Sequence, residues 1–410
     1  MKKLLLAILT GFAALTLGAC GSSKDKFGFI FLHDEKSTYD KNFIDAAKDV
    51  CEELGVQAVL KTNVAEGEAC YSAAKELAKK GCKGVFADSF GHEPFMIQAA
   101  KEFPKVEFAH ATGTKAHYMG EGVDTLTNFH NAFAAIYEGR YTAGIAAGMK
   151  LNEMIAAGDI EAEQAIMGYV GAFPYAEVVS GYTSFYLGAK SVCPSVTMKV
   201  RYTNSWYDEN AESTTAKTLI EQDNCVLISQ HADSQGAPSV CESKKVPNVF
   251  YNGENTSLTN SYLTSSRINW RPYFKYFINC VLKGEKMDAD WTGTIANGAV
   301  EVFAASGIAA EGTQAAMDAA IAAFKAGTLN VFDCSKFTVS VFGDGVKDFT
   351  NLNATVDADG HVTSYKADVD DAGDYVGETE VVSGGIFKES FYRSAPYFDI
   401  RIDGITEITA

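Results

Sequence analysis

The sequence predicts an α/β protein built from two lobes, each a doubly wound parallel sheet, followed by a β-rich C-terminal extension. Three observations carry this. Short apolar runs such as Phe27-Gly28-Phe29-Ile30-Phe31-Leu32 read as strands buried on both faces, each followed by a stretch with helical apolar spacing. The alternation restarts at Met167-Gly168-Tyr169-Val170-Gly171 in a similar layout. After Cys334 the texture becomes acidic and strand-like.

In the first unit, Asp40 to Leu54 places Phe43, Ala46, Ala47, Val50 and Leu54 on one helical stripe that stops at Gly55, and Val56 to Leu60 is the next strand. Glu66 to Lys80 reads as helix, Gly84 to Ala87 as strand, Glu93 to Phe103 as helix and Val106 to Ala109 as strand, a βαβα rhythm. Asn131 to Ile155 reads as a longer helix whose Gly144, Ala146, Ala147 and Gly148 permit close backbone approach. A membrane-dimer role fails there because the stretch carries Glu138, Arg140 and Lys150.

The second unit runs through helix Ala176 to Ala189, strand Thr197 to Tyr202, helix Glu209 to Gln222 and strand Cys225 to Ser229, and a further helix and strand reach Phe250. Arg267 to Leu282 reads as helix, Gly298 to Phe303 as strand and Gly312 to Gly327 as an Ala-rich helix. In the extension, Ala354 to Thr363 reads as a hairpin about Asp359-Gly360, and Tyr397 to Ile402 as a strand before Asp403-Gly404. Open parallel sheets bind ligands at the carboxyl ends of their strands, so the cleft between the lobes is the expected site.

The first twenty residues form a secretory leader: Lys2 and Lys3, an apolar run from Leu4 to Leu17, then Leu17-Gly18-Ala19-Cys20. That run would span only about 21 Å as a helix, short of a hydrocarbon core of about 30 Å. Its end resembles the lipobox of bacterial lipoproteins, which makes Cys20 the expected lipidation site, residues 21–26 a tether and the outer face of the cell membrane the expected location.

A chain of 410 residues is long enough for two to three domains at about 150 residues each. A hydrophobic share of 47% with 21% charged residues excludes wholesale disorder. The net charge of −17 has the wrong sign for neutralising a phosphate backbone, which argues against nucleic acid as a partner. The eight cysteines other than Cys20 form no CxxC pair and sit mostly at apolar positions, as buried free thiols do.

Common enzyme signatures are missing: there is no P-loop lysine motif, no GxGxxG after the first strand, no GxSxG and no HExxH. The histidines lack zinc spacing, and Asp357-Ala358-Asp359-Gly360 has its glycine too early for a calcium loop, so neither a metal nor a cofactor is expected.

What remains is a set of aromatic residues beside acids, each just after a strand: Tyr39-Asp40 with Phe43, Asp88-Ser89-Phe90-Gly91, Phe173-Pro174-Tyr175, Trp206-Tyr207-Asp208 and His231-Ala232-Asp233-Ser234. Aromatic faces stack on planar ligands and carboxylates accept hydrogen bonds from hydroxyls or ring N–H groups, which suits a flat polar molecule such as a heterocycle carrying a sugar.

The stretches Phe86 to Glu93, Glu138-Gly139-Arg140-Tyr141-Thr142-Ala143-Gly144, Gly168 to Gly171 with Glu177-Val178-Val179, Ser205 to Asp208, and Gln230 to Ser234 resemble the basic membrane protein family of ABC-transporter substrate-binding lipoproteins. The resemblance covers about residues 27 to 300. It implies a type I periplasmic-binding-protein fold whose lobes, joined by three crossovers, close on a nucleoside-like ligand, with lobe 1 formed by 27–130 plus about 265–334 and lobe 2 by 131–264; the extension, 335–410, is read from the change of texture after Cys334 and has no matched counterpart in the family.

It also implies a base held between Tyr39 or Phe43 and Trp206 or Phe173. Asp40, Asp88, Asp233 and Arg267 would hold ribose hydroxyls and base edges. Arg267 stands at the family's lysine position, and the two side chains do not present donors alike. Ser89, Phe90 and Asp208 complete the expected set, and a permease with its ATPase are the expected partners of a monomeric, non-enzymatic receptor. Three other functions are compatible with the residues: a receptor for riboflavin, a sugar or a signalling molecule; a nucleoside hydrolase using Asp40, Asp88 and Asp233; and an adhesin acting through the tail.

Overall fold

The computed structural model describes residues 24–116, 126–340, 351, 353–369 and 379–408; the leader with Cys20 and the start of the tether lie outside them. The first lobe begins with β1 (Lys26–Ile30), α1 (Thr38–Glu53), β2 (Gln57–Lys61), α2 (Glu68–Lys79), β3 (Cys82–Ala87), α3 (Glu93–Glu102), β4 (Glu107–Ala111) and β5 (Phe129–Ala134). The long α4 (Ile136–Ala157) leads into the second: β6 (Ile166–Gly171), α5 (Ala176–Lys190), β7 (Thr197–Tyr202), α6 (Glu209–Glu221), β8 (Leu227–His231), α7 (Gly236–Lys244), β9 (Asn248–Tyr251) and β10 (Tyr262–Ile268). The chain returns through α8 (Arg271–Lys283) to β11 (Asp290–Gly293), then passes to β12 (Val300–Val302) and α9 (Thr313–Lys325). The extension carries only short strands: β13 (Ala354–Val356), β14 (Val362–Ala367), β15 (Thr379–Glu380), β16 (Val382–Ser383), β17 (Ile386–Phe387) and β18 (Ile405–Glu407).

The first sheet has the order β11-β5-β4-β3-β1-β2 and the second β12-β10-β9-β8-β6-β7-β18. All pairs in both are parallel except β10 with β12. Each lobe therefore reverses direction at its first strand, between β1 and β3 and between β6 and β8, and a crevice opens at such a reversal.

Several expectations change. Residues 131–134 belong to β5 and not to the following helix, because Phe129 to Ala134 are buried on both faces and pair between β11 and β4. Arg267 likewise lies on β10, four residues before α8 begins with a Pro in its first turn. The boundary placed near residue 265 shifts with it: β10 and β12 complete the second sheet, while α8 packs against α1 and β3 in the first lobe. Tyr397 to Ile402 is not a strand, and β18 after the Asp403-Gly404 turn instead adds to β7 in the second lobe. The hairpin about Asp359-Gly360 is present, its turn held by the Asp357 carboxylate, which accepts from the amides of Asp359 and His361.

The extension ties the lobes together from outside. Ser394 donates to Asp290 of β11 at 2.5 Å, while β18 and Arg401, paired to Glu407, hold the second lobe. The eight cysteines outside the leader are all buried and unpaired. Among the described residues no helix is long and apolar enough to cross a membrane.

The small residues of α4 meet α5 at backbone distance, as the sequence anticipates. A Cβ on Gly144 would overlap the carbonyl of Phe185, and one on Gly188 the carbonyl of Tyr141. Neither obstacle can rotate away, so the helices would have to separate. Gly188→Ala is expected to destabilise the fold by about 1–3 kcal/mol, read as a lower urea midpoint at constant slope. An unchanged midpoint would show that the interface tolerates the shift.

Candidate functional site

The crevice lies between the carboxyl ends of the two sheets. It holds ≈ 440 Å³ of empty space including its open mouth. Leu32, His33, Tyr39 and Asp40 come from the β1 end and the start of α1, Ser89 and Phe90 from the β3 end, and Thr112 from the β4 end. The second lobe contributes Glu177 at the start of α5, Trp206 after β7, His231 and Asp233 at the β8 end, and Tyr251 closing β9.

Tyr39 and Asp40 are placed by the N-terminus of α1. Ser37 caps it, its hydroxyl accepting from the Asp40 amide at 3.2 Å and donating to Asp40 Oδ2 at 2.6 Å. Asp40 Oδ1 also accepts from the His33 amide at 2.7 Å. Burial alone would raise this carboxyl, but the hydrogen bonds from His33 and Ser37 outweigh it and hold Asp40 below the usual carboxylate range. The Tyr39 hydroxyl donates to the Asp88 carbonyl at 2.8 Å, which fixes its ring at the mouth of the crevice.

Two acids behave oppositely. Burial, followed by the charge of Asp40, pushes Asp88 well above the usual value, and its Oδ2 has no hydrogen-bond partner. Burial and then Glu212, Asp40 and Glu177 push Asp233 well above it too. The Asp233 carboxylate makes no hydrogen bond with the described residues; only its backbone is held, the amide by the Trp206 carbonyl and the carbonyl by Thr38. An unsatisfied buried acid in a crevice awaits a donor from a ligand.

On the second-lobe wall, His231 Nε2 meets the Tyr251 hydroxyl at 2.9 Å and Glu177 Oε1 at 3.4 Å. Burial lowers the His231 pKa, so the imidazole stays neutral near pH 7. Behind it the fully buried Arg140 reaches Ser229 at 2.5 Å and the Phe250 carbonyl at 3.2 Å, its guanidinium 5.3 Å from the Tyr251 ring. Among the described residues no Lys or Arg lines the crevice, and three carboxyl groups do. The site therefore favours donors, and it repels phosphate groups.

Across the mouth, Thr38 bonds the Asp233 carbonyl at 3.2 Å and Asn42 Nδ2 donates to the Asn252 carbonyl at 2.8 Å, so the lobes already touch beside the crevice.

Of the residues expected from sequence, Tyr39, Asp40, Ser89, Phe90, Trp206 and Asp233 line this space. Phe43 does not: it is wholly buried, stacked on Trp270 at 4.2 Å beneath Tyr39. Asp88 lies behind the lining, where Oδ1 accepts from the Leu32 amide. Phe173 buttresses Trp206 edge-on at 5.3 Å. Asp208 caps α6, accepting from the amides of Asn210 and Ala211. Arg267 pairs with Glu301 at 2.7 Å over the Phe303 ring, away from the crevice, because β10 turns its side chain to the edge where β12 pairs.

His33, Thr112, Glu177 and Tyr251 were not expected there, and His231 was singled out only as part of the stretch His231-Ala232-Asp233-Ser234. His231 and Glu177 stand inside stretches the resemblance rests on, which was the available signal. Thr112 sits at a β4 end that the sequence places two residues too early.

A sequence profile of PnrA-like ABC transporter substrate-binding proteins matches residues 31–318. A purine-binding protein of Brucella abortus is 33% identical over 295 residues, covering 70% of this chain and 78% of that protein. A putative ABC transporter glucose-binding protein of Haloferax volcanii is 31% identical over 214 residues, covering 51% of this chain and 49% of its own length. Among solved structures, a solute-binding protein of an ABC transporter system from Conexibacter woesei superimposes with a TM-score of 0.59 at 17% identity, covering 75% of this chain and 98% of that one.

Proposed function

The chain belongs to the PnrA-like family of ABC transporter substrate-binding proteins, and from that premise we propose that it captures a purine nucleoside in the interlobe crevice and delivers it to its permease. As a substrate-binding protein of an ABC system it works with a small-molecule ligand and with a permease and ATPase. The observation that carries the nucleoside reading is the pairing of aromatic faces from opposite lobes, Tyr39 and Trp206, beside the unsatisfied Asp233 carboxylate. The aromatic faces stack the base, and the acids take donors from the ribose or base edge. Ligand held by one lobe gains contacts with the other on closure, and that difference in affinity shifts the open and closed populations.

The crevice charge makes the reading specific. Protein unfolded and refolded to strip carried ligand is titrated calorimetrically with purine and pyrimidine nucleosides, free bases, riboflavin, ribose and glucose. A purine nucleoside is expected to bind with micromolar or tighter Kd, be recovered intact, and lose at least about a hundredfold as its 5′-monophosphate, since the described lining holds carboxyl groups and no Lys or Arg. Binding of glucose with silence toward nucleosides would replace this reading with a sugar receptor, which the Haloferax volcanii relative favours.

We further propose that the protein is a monomer anchored through a lipid on Cys20 to the outer face of the membrane. Wild-type protein is expected to sediment with membranes, and Cys20→Ala to leave that fraction. Membrane retention of Cys20→Ala would refute the anchor.

A further inference from the structure

The turn at Thr112 and Gly113, which follows β4 at the crevice, is held in a conformation that its residues do not favour. Thr112 lines the crevice and is buried at φ 66°, in the left-handed region where a β-branched residue is strained. Such strain persists only where the surroundings over-determine it, and two side chains do so here. On one side the buried Glu93 carboxylate accepts from the amides of Thr114 at 3.1 Å and Lys115 at 2.8 Å. On the other, Asn131 of β5 accepts from the Gly113 amide at 2.8 Å through Oδ1.

Asn131 is buried, and its orientation is set by what faces its Nδ2. That nitrogen donates to Asp290 Oδ1 at 3.0 Å and to Ser394 Oγ at 3.1 Å. Ser394 in turn donates twice to Asp290, from its hydroxyl to Oδ1 at 2.5 Å and from its amide to Oδ2 at 2.6 Å. Both donor positions of the Asn131 amide are met by acceptors, so its oxygen is the end turned to Gly113. Ser394 is wholly buried and belongs to the extension, beyond the matched family region. A buried chain of hydrogen bonds thus runs from the extension through β11 and β5 to the crevice wall.

We propose that Ser394 is a positioning residue for ligand binding: through Asp290 and Asn131 it holds Thr112 in the shape the ligand meets. The extension then sets the affinity of a crevice that none of its described residues lines. This deepens the receptor reading and rests on the crevice being the ligand site, whichever ligand fills it. Without the Ser394 hydroxyl, one Asn131 donor loses its acceptor in a buried place, the amide is free to turn, and its grip on the Gly113 amide weakens. Thr112 can then relax from positive φ, and a ligand has to restore the wall as it binds.

The test reads hydrogen exchange resolved to the Gly113 amide in the ligand-free protein and, in parallel, calorimetric binding of a purine nucleoside. Ser394→Ala is expected to speed Gly113 exchange at least tenfold and to weaken the nucleoside three- to tenfold. Thr112→Gly separates positioning from general loosening, because glycine takes φ 66° without being held. In that background Ser394→Ala should cost no further affinity. Asp403→Asn loosens the extension elsewhere, where the carboxylate accepts from the Thr338 hydroxyl at 2.6 Å and the Ser340 amide at 3.1 Å, and should leave both readouts at wild-type values. Unchanged Gly113 exchange in Ser394→Ala would overturn the proposal, as would an equal loss of affinity in the Thr112→Gly background or an equal effect of Asp403→Asn. Silence of the wild-type protein toward nucleosides would count against the ligand reading alone, since the exchange measurement decides this one without ligand.

Discussion

Replacing Asp233 with Asn will weaken ligand binding ten- to hundredfold and, at pH 8, make the ligand-free protein more stable. The two effects share one cause. The Asp233 carboxylate is 6% exposed and makes no hydrogen bond with the described residues. In the empty protein it is a desolvated acid among acids, with Glu212, Asp40 and Glu177 adding to its burial. In the complex a ligand donor meets it, and a hydrogen bond to a charged acceptor is worth about 1.5–3 kcal/mol. Asn keeps the shape and loses the charge, so the bond weakens while the desolvation cost falls.

The pH dependence follows from the direction of the shift. The folded chain holds this proton to higher pH than the unfolded chain, whose Asp titrates at about 3.9. The stability contributed by Asp233 is therefore full below that value and is lost as pH rises through the raised folded one. Urea unfolding should show Asp233→Asn ahead of wild type by about 1 kcal/mol at pH 8, with the gap closing toward pH 4. An unchanged Kd would remove the carboxylate from the site. Loss of affinity together with loss of stability at pH 8 would make Asp233 an ordinary structural residue.

The strands that build the crevice were legible because they are buried on both faces. Phe27 to Leu32 and Met167 to Gly171 stand out as apolar runs, and Gly55 and Gly81 stop helices at positive φ where sequence alone implies a stop. The β5 strand was not, because Asn131 to Ala134 continue without a break residue into α4, and a fully buried strand lacks the alternation that would separate it from a buried helix. The extension misled for a different reason. Its strands are mostly short, and Tyr397 to Ile402 is buried by packing against aromatic neighbours such as Phe332 and Phe387 and not by sheet pairing.

The site divides along the same physical line. Loop residues after strand ends were found because aromatic and acidic side chains there have no local structural duty to suggest. Which of them face the crevice is decided by tertiary packing. Phe43 and Tyr39 lie one helical turn apart, yet one stacks on Trp270 in the core and the other meets the crevice. Asp208 precedes a helix, where an acid has a structural use as its cap, and that use is the one the structure shows. Arg267 sits on a strand whose outward face meets Glu301, a pairing with a residue far along the chain that no local pattern announces.

Trp206→Ala is expected to weaken purine nucleoside binding by tens of fold, about 2 kcal/mol, without unfolding the protein. Trp206 is half-buried on the second lobe, its ring braced edge-on by Phe173 at 5.3 Å and flanked by Tyr175 at 6.2 Å. The contact it makes with the rest of the site is through its backbone, whose carbonyl accepts from the Asp233 amide at 2.9 Å, and truncation at Cβ leaves that bond in place. What is lost is an apolar face of about 80–100 Å² against the base, worth about 2–2.5 kcal/mol at about 25 cal/mol per Å². Phe173→Ala removes the brace and not the face, so it should cost only a few-fold. Trp206→Phe retains a stacking surface and should recover most of the loss. The choice of ligand gives the sharper discrimination: the alanine substitution should weaken a nucleoside and its free base by similar factors and leave any residual ribose binding unchanged. Equal losses for all three would mean that Trp206 supports the shape of the crevice, whereas loss confined to the heterocyclic ligands identifies it as the surface on which the base lies.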